Sequence, residues 1–189
     1  IKHYGADSVV YCSFGESSAS EGYVFEGLNG ISKERLPVVT VMQDNGYGIS
    51  THHSQERAQP IEQMLSGYAN LGIFPCDGLD LFASYEAFKK AHEWCRKGKG
   101  PALVVSHVVR LWGHSSSDNR KLYMTDAQIA EESKKDPNLK LRDWIINNSL
   151  ADDDELVALE AQIKNEIDDA ADRADDFVFD LGFEGDEFV

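Results

Sequence analysis

Two side chains able to offer hard oxygen donors stand directly behind apolar runs of the chain. Glu16 follows Ser8-Val-Val-Tyr-Cys-Ser-Phe14 and Gly15, and Asn45 follows Leu36-Pro-Val-Val-Thr-Val-Met42. A carboxylate and an amide oxygen from neighbouring strand ends, joined by a backbone carbonyl, suit Mg²⁺, which takes oxygen ligands and shares its shell with phosphate and water. Ser17, Ser18, Ala19 and Ser20 are small enough for backbone N–H groups at a helix start to face an anion. An ordinary acidic turn and an Asn-Gly turn are the competing readings. A second group lies further on, where His114 sits in a polar loop behind Gly113, flanked by Arg110 and Ser115 to Ser117. A neutral imidazole near its usual pKa moves protons at working pH, and a guanidinium suits an anionic group.

These residues need a frame that brings strand ends together. Ser8–Phe14, Leu36–Met42, Gly72–Cys76 and Ala102–Val109 read as buried strands, with helices expected from about Val24 to Arg35, Ile61 to Leu71 and Tyr85 to Lys97. The last of these is expected to bury Phe82, Tyr85, Phe88 and Trp94, and it stops at Gly98-Lys-Gly-Pro101. The Asp44–Gly48 stretch reads as an irregular loop. Strands alternating with helices predict an α/β fold with a parallel, doubly wound sheet. Ligands of such sheets bind beyond the carboxyl ends of the strands, which singles out segments 15–20, 44–50 and 110–120. The expected organisation is an α/β core over residues 1–125, C-terminal helices over 126–176 and a loosely held acidic tail over 177–189. In the final helix Leu156, Leu159, Ile163, Ile167, Ala170 and Ala174 form one apolar stripe, suited to the body of the protein or a neighbouring subunit.

Charge separates the two ends of the chain. Of the 33 acidic residues, 15 fall within positions 151–189, against Lys164 and Arg173 as the only bases there, while the whole chain carries −15. Such a polyanion repels nucleic acid and anionic lipid, so neither is expected as a partner. No apolar run approaches the roughly 18 residues of a membrane span. The opening Ile1-Lys-His-Tyr4 is no signal peptide and carries no Met, so the chain reads as a piece of something longer. Cys12, Cys76 and Cys95 form no CxxC pair and are expected as buried small hydrophobes in a reducing compartment. His52 and His53 are expected as solvated loop residues, and His3, His92 and His107 as structural ones.

Several separate blocks carry a family resemblance. Gly15-Glu-Ser-Ser-Ala-Ser-Glu-Gly22, Glu26-Gly-Leu-Asn29, Leu36-Pro-Val-Val39 and Asp44-Asn-Gly-Tyr-Gly-Ile-Ser-Thr51 resemble the thiamine diphosphate motif of the α subunit of 2-oxo acid dehydrogenases. The likeness continues through Cys76-Asp-Gly-Leu-Asp80, Gly98-Lys-Gly-Pro101, Arg110-Leu-Trp-Gly-His-Ser-Ser-Ser-Asp118, Tyr123 and Lys135-Asp-Pro137. It covers about residues 5–175 in register. The Arg110–Asp118 loop and Lys135-Asp-Pro137 speak against another thiamine enzyme such as a transketolase.

The resemblance implies a thiamine diphosphate-binding fold, present here in part, with thiamine diphosphate and Mg²⁺ as cofactors. It implies Glu16, Asn45 and the carbonyl of Tyr47 as metal ligands, and Gly15, Glu16, Ser17, Ser18, Asn45, Tyr47, Gly48 and Ile49 as cofactor-binding positions. His114 and Arg110 are the implied catalytic residues, His114 facing the reactive carbon of the cofactor. Ser115 matches a position phosphorylated in mitochondrial relatives. The pattern departs from the family at the first loop: Glu16 stands where Asp is usual, and Ser17 where Gly is usual. Either the loop shifts so that the longer carboxylate reaches the ion, or cofactor binding is weakened; retained binding is the expectation. The implied reaction is oxidative decarboxylation of a 2-oxo acid with acyl transfer to lipoamide, the branched-chain type ranked narrowly before pyruvate. A non-catalytic assembly domain with a degenerate loop is the rival. The implied partners are a β subunit or fused β half and a lipoyl-bearing acyltransferase, in an oligomer. The implied compartment is the cytoplasm of a bacterium or the mitochondrial matrix of a eukaryote.

Overall fold

The structure, a computed structural model, describes residues 8–180, with side chains through residue 175. Elements follow in the order β1 (Val10–Gly15), α1 (Gly22–Lys33), β2 (Val38–Asp44), β3 (Tyr47–Gly48), β4 (Thr51–His52), α2 (Ile61–Met64), β5 (Gly72–Asp77), α3 (Leu81–Arg96), β6 (Ala102–His107), α4 (Asp126–Ser133), α5 (Pro137–Asn147) and α6 (Asp153–Asp180). The β-branched and apolar runs of β1, β2, β5 and β6 pair into one parallel sheet of order β1-β2-β6-β5. Alternation along the strands divides the core into two layers. Met42, Leu103 and Val105 face Leu28 of α1 with Ile61 and Leu65. Val39, Ala102 and Val104 face Ala87, Ala91 and Cys95 of α3. Helices thus cover both faces, and the fold is α/β and doubly wound, as the strand–helix alternation predicts. Each fully buried side chain such as Leu103 contributes roughly 1.5–3 kcal/mol by leaving water.

Register aligns the strand ends. Gly15 is paired with Gln43, while Asp44 and Asp77 are both paired with His107 in the row beyond. The carboxyl edge of the sheet therefore carries a row of polar side chains, and the loops that leave it begin side by side.

Several expectations differ from what is observed, each for a packing reason. β1 is an edge strand and is largely exposed, with Val10 at 44% and Tyr11 at 50%, because it has a hydrogen-bonded neighbour in β2 alone among the described residues. Cys12 is exposed with it and Cys76 is half-buried, so Cys95 alone meets the expectation of burial. The helix expected to Leu71 ends at Met64, and Leu65, Tyr68 and Leu71 still reach the core through a turn. Their apolar spacing reports core contact rather than helix. On α3 the buried face is Ala87, Ala91 and Cys95, while Phe82 and Tyr85 stay exposed. Small residues let the helix axis approach the sheet, and only Phe88 and Trp94 of the large residues named for that face pack at the rim. Asp80 caps this helix by accepting from the N–H groups of Phe82 and Ala83 at 2.9 and 3.0 Å. The segment behind Asp44, expected as irregular, forms the small hairpin β3–β4.

The chain divides into two compact units between Leu141 and Arg142. In the second, Asp152 and Glu155 cap α6 reciprocally, and Arg142 binds Asp153 and Glu160, each at 2.7 Å. Leu159, Ile163 and Ile167 of the predicted stripe are exposed. The backbone of α6 is helical to Asp180, and the rest of the tail lies outside the described residues, as does His3. No helix among the described residues is long and apolar enough to cross a membrane.

Candidate functional site

The first loop turns through a 3₁₀ helix, Ser17–Ser20, anchored by the fully buried Ala19. Glu16 directly precedes this turn. Glu16 is 2% exposed, its Oε1 lies 2.5 Å from Nη2 of Arg57, and its Oε2 has no hydrogen-bond partner. Arg57 also donates from Nη1 to the Glu16 carbonyl at 3.2 Å. Loss of solvation pushes the Glu16 carboxyl above its ordinary pKa, against the opposing pull of Arg57. Ser17 and Ser20 donate to the two oxygens of Glu56 at 2.8 and 3.2 Å, which fixes the loop from its other side.

The second loop is a pair of overlapping side-chain turns. Asp44 Oδ1 accepts from the N–H of Gly46 at 3.3 Å, and Asn45 Oδ1 accepts from the N–H of Tyr47 at 3.0 Å. Gly46 takes φ +80°, a region glycine enters without strain. Ile49, at the tip of the hairpin, takes φ +55°, which a β-branched residue adopts only under constraint. The two loops interlock. A Cβ added to Gly48 would lie 1.4 Å from Ser17 Oγ and 2.9 Å from Glu56 Oε1, so the bare backbone of position 48 is the seat of the serine hydroxyl.

The third loop is tied to the second through Arg110. Its Nη2 donates to the Ile49 carbonyl at 2.7 Å and to the Tyr123 hydroxyl at 2.6 Å, and its guanidinium lies 5.7 Å from the Tyr47 ring centre. Tyr123 in turn donates to Asp118 Oδ2 at 2.7 Å, which also accepts from the backbone N–H of His114 at 2.7 Å. Those two donors hold the Asp118 carboxyl below its usual pKa, the His114 N–H first. Burial and the Asp118 hydrogen bond raise that of Tyr123. His114 itself is exposed.

Of the residues singled out in the sequence, Ser17 and Gly48 meet directly, and Arg110 meets Ile49 and Tyr47. The side-chain oxygens of Glu16 and Asn45 have separate partners, Arg57 and the Tyr47 N–H. Gly15 ends β1, and the Ser18 carbonyl accepts from Glu21. Arg57, Asp44, Glu56, Glu62, His53 and His107 also stand at these loops, and neither residue type nor spacing singles them out as site residues. His53 Nδ1 lies 3.7 Å from Asp44 Oδ1, and His107 is placed between Asp44 Oδ2 at 3.2 Å and Glu62 Oε1 at 3.6 Å. The row pairing of Asp44 with His107 explains the second contact, and the hairpin return explains the first. Asp44, His53, Arg57, Pro60, Glu62 and His107 line a cavity of about 340 Å³. His53 and His107, expected to have no role beyond solvation or structure, are both partnered to carboxylates here. His52 caps the short 3₁₀ turn behind it.

A family model for the dehydrogenase E1 component matches residues 1–179. The chain belongs to this family. Among curated relatives, the somatic-form α subunit of the mitochondrial pyruvate dehydrogenase E1 component of Bos taurus is 35% identical over 171 residues, 90% of this chain and 43% of the relative. The mitochondrial E1 α subunit of Dictyostelium discoideum is 32% identical over 174 residues, 92% of this chain and 46% of its own length. The chain therefore spans less than half of these E1 relatives. Among solved structures, a transketolase from Campylobacter jejuni overlaps 71% of this chain and 22% of its own, at a TM-score of 0.47 and 18% identity.

Proposed function

We propose that this chain is the thiamine diphosphate- and Mg²⁺-binding α portion of a 2-oxo acid dehydrogenase of the pyruvate type. The single observation that carries the reading is the seating of Ser17 on Gly48, with Arg110 pinning Ile49, so that the loops behind β1, β2 and β6 meet at one edge of the sheet. The names of the relatives favour pyruvate over the branched-chain substrate ranked first from the sequence. Those names, which print a mitochondrial origin, also favour the eukaryotic branch over a bacterial cytoplasm.

The donor chemistry fits the cofactor and its ion. Glu16 offers a buried carboxylate oxygen without a hydrogen-bond partner, and an amide oxygen engaged once, as in Asn45, retains a second lone pair. In this reading Glu16, Asn45 and the Tyr47 carbonyl hold the ion, and Gly15, Ser17, Ser18, Gly48 and Ile49 border the diphosphate. The bound coenzyme supplies the electron sink for decarboxylation. The chain's own residues position and neutralise. Arg110 fixes the hairpin tip through the Ile49 carbonyl and brings a positive charge to the loops. Asp118 and Tyr123 fix the backbone of His114, which leaves its imidazole free to give or take a proton. A β subunit, or a fused β half, would complete the site, and a lipoyl-bearing acyltransferase would accept the acyl group.

Calorimetric titration of the full-length protein with thiamine diphosphate and Mg²⁺ tests the reading. Saturable binding that Asn45→Ala weakens at least tenfold supports it, and absence of heat at millimolar cofactor refutes it. That second result would favour the rival reading of an assembly domain, for which the Arg57–Glu16 pair at 2.5 Å is the specific observation: the carboxylate already has a cation.

A further inference from the structure

Beside the cofactor loops the chain assembles a second donor set, which takes Glu16 from the reading above and adds Asp44 and His53, to which that reading gives no role. One donor atom each from Glu16, Asp44 and His53 lies within 4.8 Å of the others. Glu16 comes from the first loop, Asp44 from the end of β2, and His53 from the turn behind the hairpin, so three separate segments converge. The Glu16 carboxylate is 2% exposed, with Arg57 on Oε1 and no hydrogen-bond partner on Oε2. An orphaned, buried carboxylate oxygen is costly unless a donor or cation meets it. Asp44 divides its oxygens: Oδ1 turns toward His53 at 3.7 Å, and Oδ2 is held by His107 Nδ1 at 3.2 Å. A carboxylate fixed on one oxygen by a neighbouring ring presents the other in a set direction, as outer groups do around metal ligands. Glu62 Oε2 is a further buried oxygen without a hydrogen-bond partner, on the wall of the 340 Å³ cavity that Asp44 and His53 also line.

We propose that Glu16, Asp44 and His53 form a binding site for a first-row divalent metal ion of the Mn²⁺-to-Zn²⁺ series, with His107 orienting Asp44. The imidazole decides the class: two carboxylates with one ring nitrogen suit borderline ions, whereas Mg²⁺ takes oxygen alone. Charge agrees, since two carboxylates beside one guanidinium leave a net negative site. Oxygen and nitrogen ligands at about 2.0–2.2 Å lie some 3–4 Å from one another. The 3.7 Å between Asp44 and His53 is already in that range, and the Glu16 oxygen, within 4.8 Å of both, lies within about an ångström of its upper end. This donor set shares Glu16 with the proposed Mg²⁺ ligands and has neither Asn45 nor Tyr47 in common with them.

The test uses the full-length protein stripped with a chelator and titrated with Co²⁺ alone, without coenzyme, followed by visible absorption and calorimetry. Saturable binding is expected with a visible band characteristic of nitrogen ligation. His53→Ala and Asp44→Asn should each weaken it tenfold or more, Asn45→Ala should leave it unchanged, and Zn²⁺ should displace Co²⁺ where excess Mg²⁺ does not. His53 is half-exposed, and His53→Gln with an unchanged circular dichroism spectrum guards against a folding artefact. No saturation at millimolar Co²⁺, or a spectrum and affinity indifferent to both His53 variants, overturns the proposal. Loss of Co²⁺ in Asn45→Ala with retention in His53→Ala also overturns it, while leaving the coenzyme reading standing. Failure of coenzyme titration with Co²⁺ binding intact does the reverse.

Discussion

The contact between Ser17 and Gly48 makes a quantitative prediction about two loops that are 31 positions apart in the chain. A methyl group at position 48 would sit 1.4 Å from Ser17 Oγ and 2.6 Å from its Cβ, so the serine must leave its seat. Overpacking of this kind costs about 1–3 kcal/mol. Expelling the hydroxyl also breaks its 2.8 Å hydrogen bond to Glu56 Oε1; bonds to charged groups are worth roughly 1.5–3 kcal/mol, less at a partly buried site. Gly48→Ala should therefore destabilise by about 3 kcal/mol. Ser17→Gly loses the hydrogen bond alone and should cost about 1–2 kcal/mol. In the double variant the serine is gone and only the movable end of Glu56, 2.9 Å away, has to give way, so the loss should match Ser17→Gly to within about 0.5 kcal/mol, giving a coupling of about 3 kcal/mol. Urea unfolding followed by tryptophan fluorescence measures all four corners of the cycle. If Gly48→Ala costs less than about 1 kcal/mol, or the two losses simply add, the loops are not interlocked in this way.

Two further outcomes follow from the buried and hydrogen-bonded charges. Arg57→Met should destabilise by about 3–5 kcal/mol by stranding the Glu16 carboxylate, and the added change Glu16→Gln should recover most of it; equal losses in the single and double variants in a denaturant titration would contradict the pairing. Asp118 has its pKa lowered by the His114 N–H and Tyr123, so its hold on the loop is present above the ordinary value of 3.8 and is lost as pH falls through the lower folded value. Carbon-detected NMR titration of the Asp118 carboxyl should show a midpoint below 3.8, and in Tyr123→Phe that midpoint should rise.

The layered sheet was legible because β-branched runs, glycine stops and helical spacing all point to one architecture, and the strand cores of β2, β5 and β6 fall where those patterns put them. What was not legible depends on neighbours. The exposure of β1 follows from its place at the edge of the sheet, which no local pattern encodes. Alanines hold α3 to the sheet while its aromatics stand outside, the reverse of what size and hydrophobicity suggest for an isolated helix. At the site, Arg110 and the small-residue loop could be named from residue type and position. Arg57 and Glu56 could not, because their partners lie some 40 residues back and the pairing exists only once the hairpin folds over the first loop. His53 and His107 were likewise invisible as partners of Asp44, one brought by a chain reversal and the other by parallel register.

Ile49 holds a backbone shape that costs an L-residue about 1–2 kcal/mol and that glycine or asparagine would tolerate. The branched side chain is half open to water, so little of that cost returns through burial. On stability alone, glycine or asparagine would thus serve the hairpin tip better than isoleucine does.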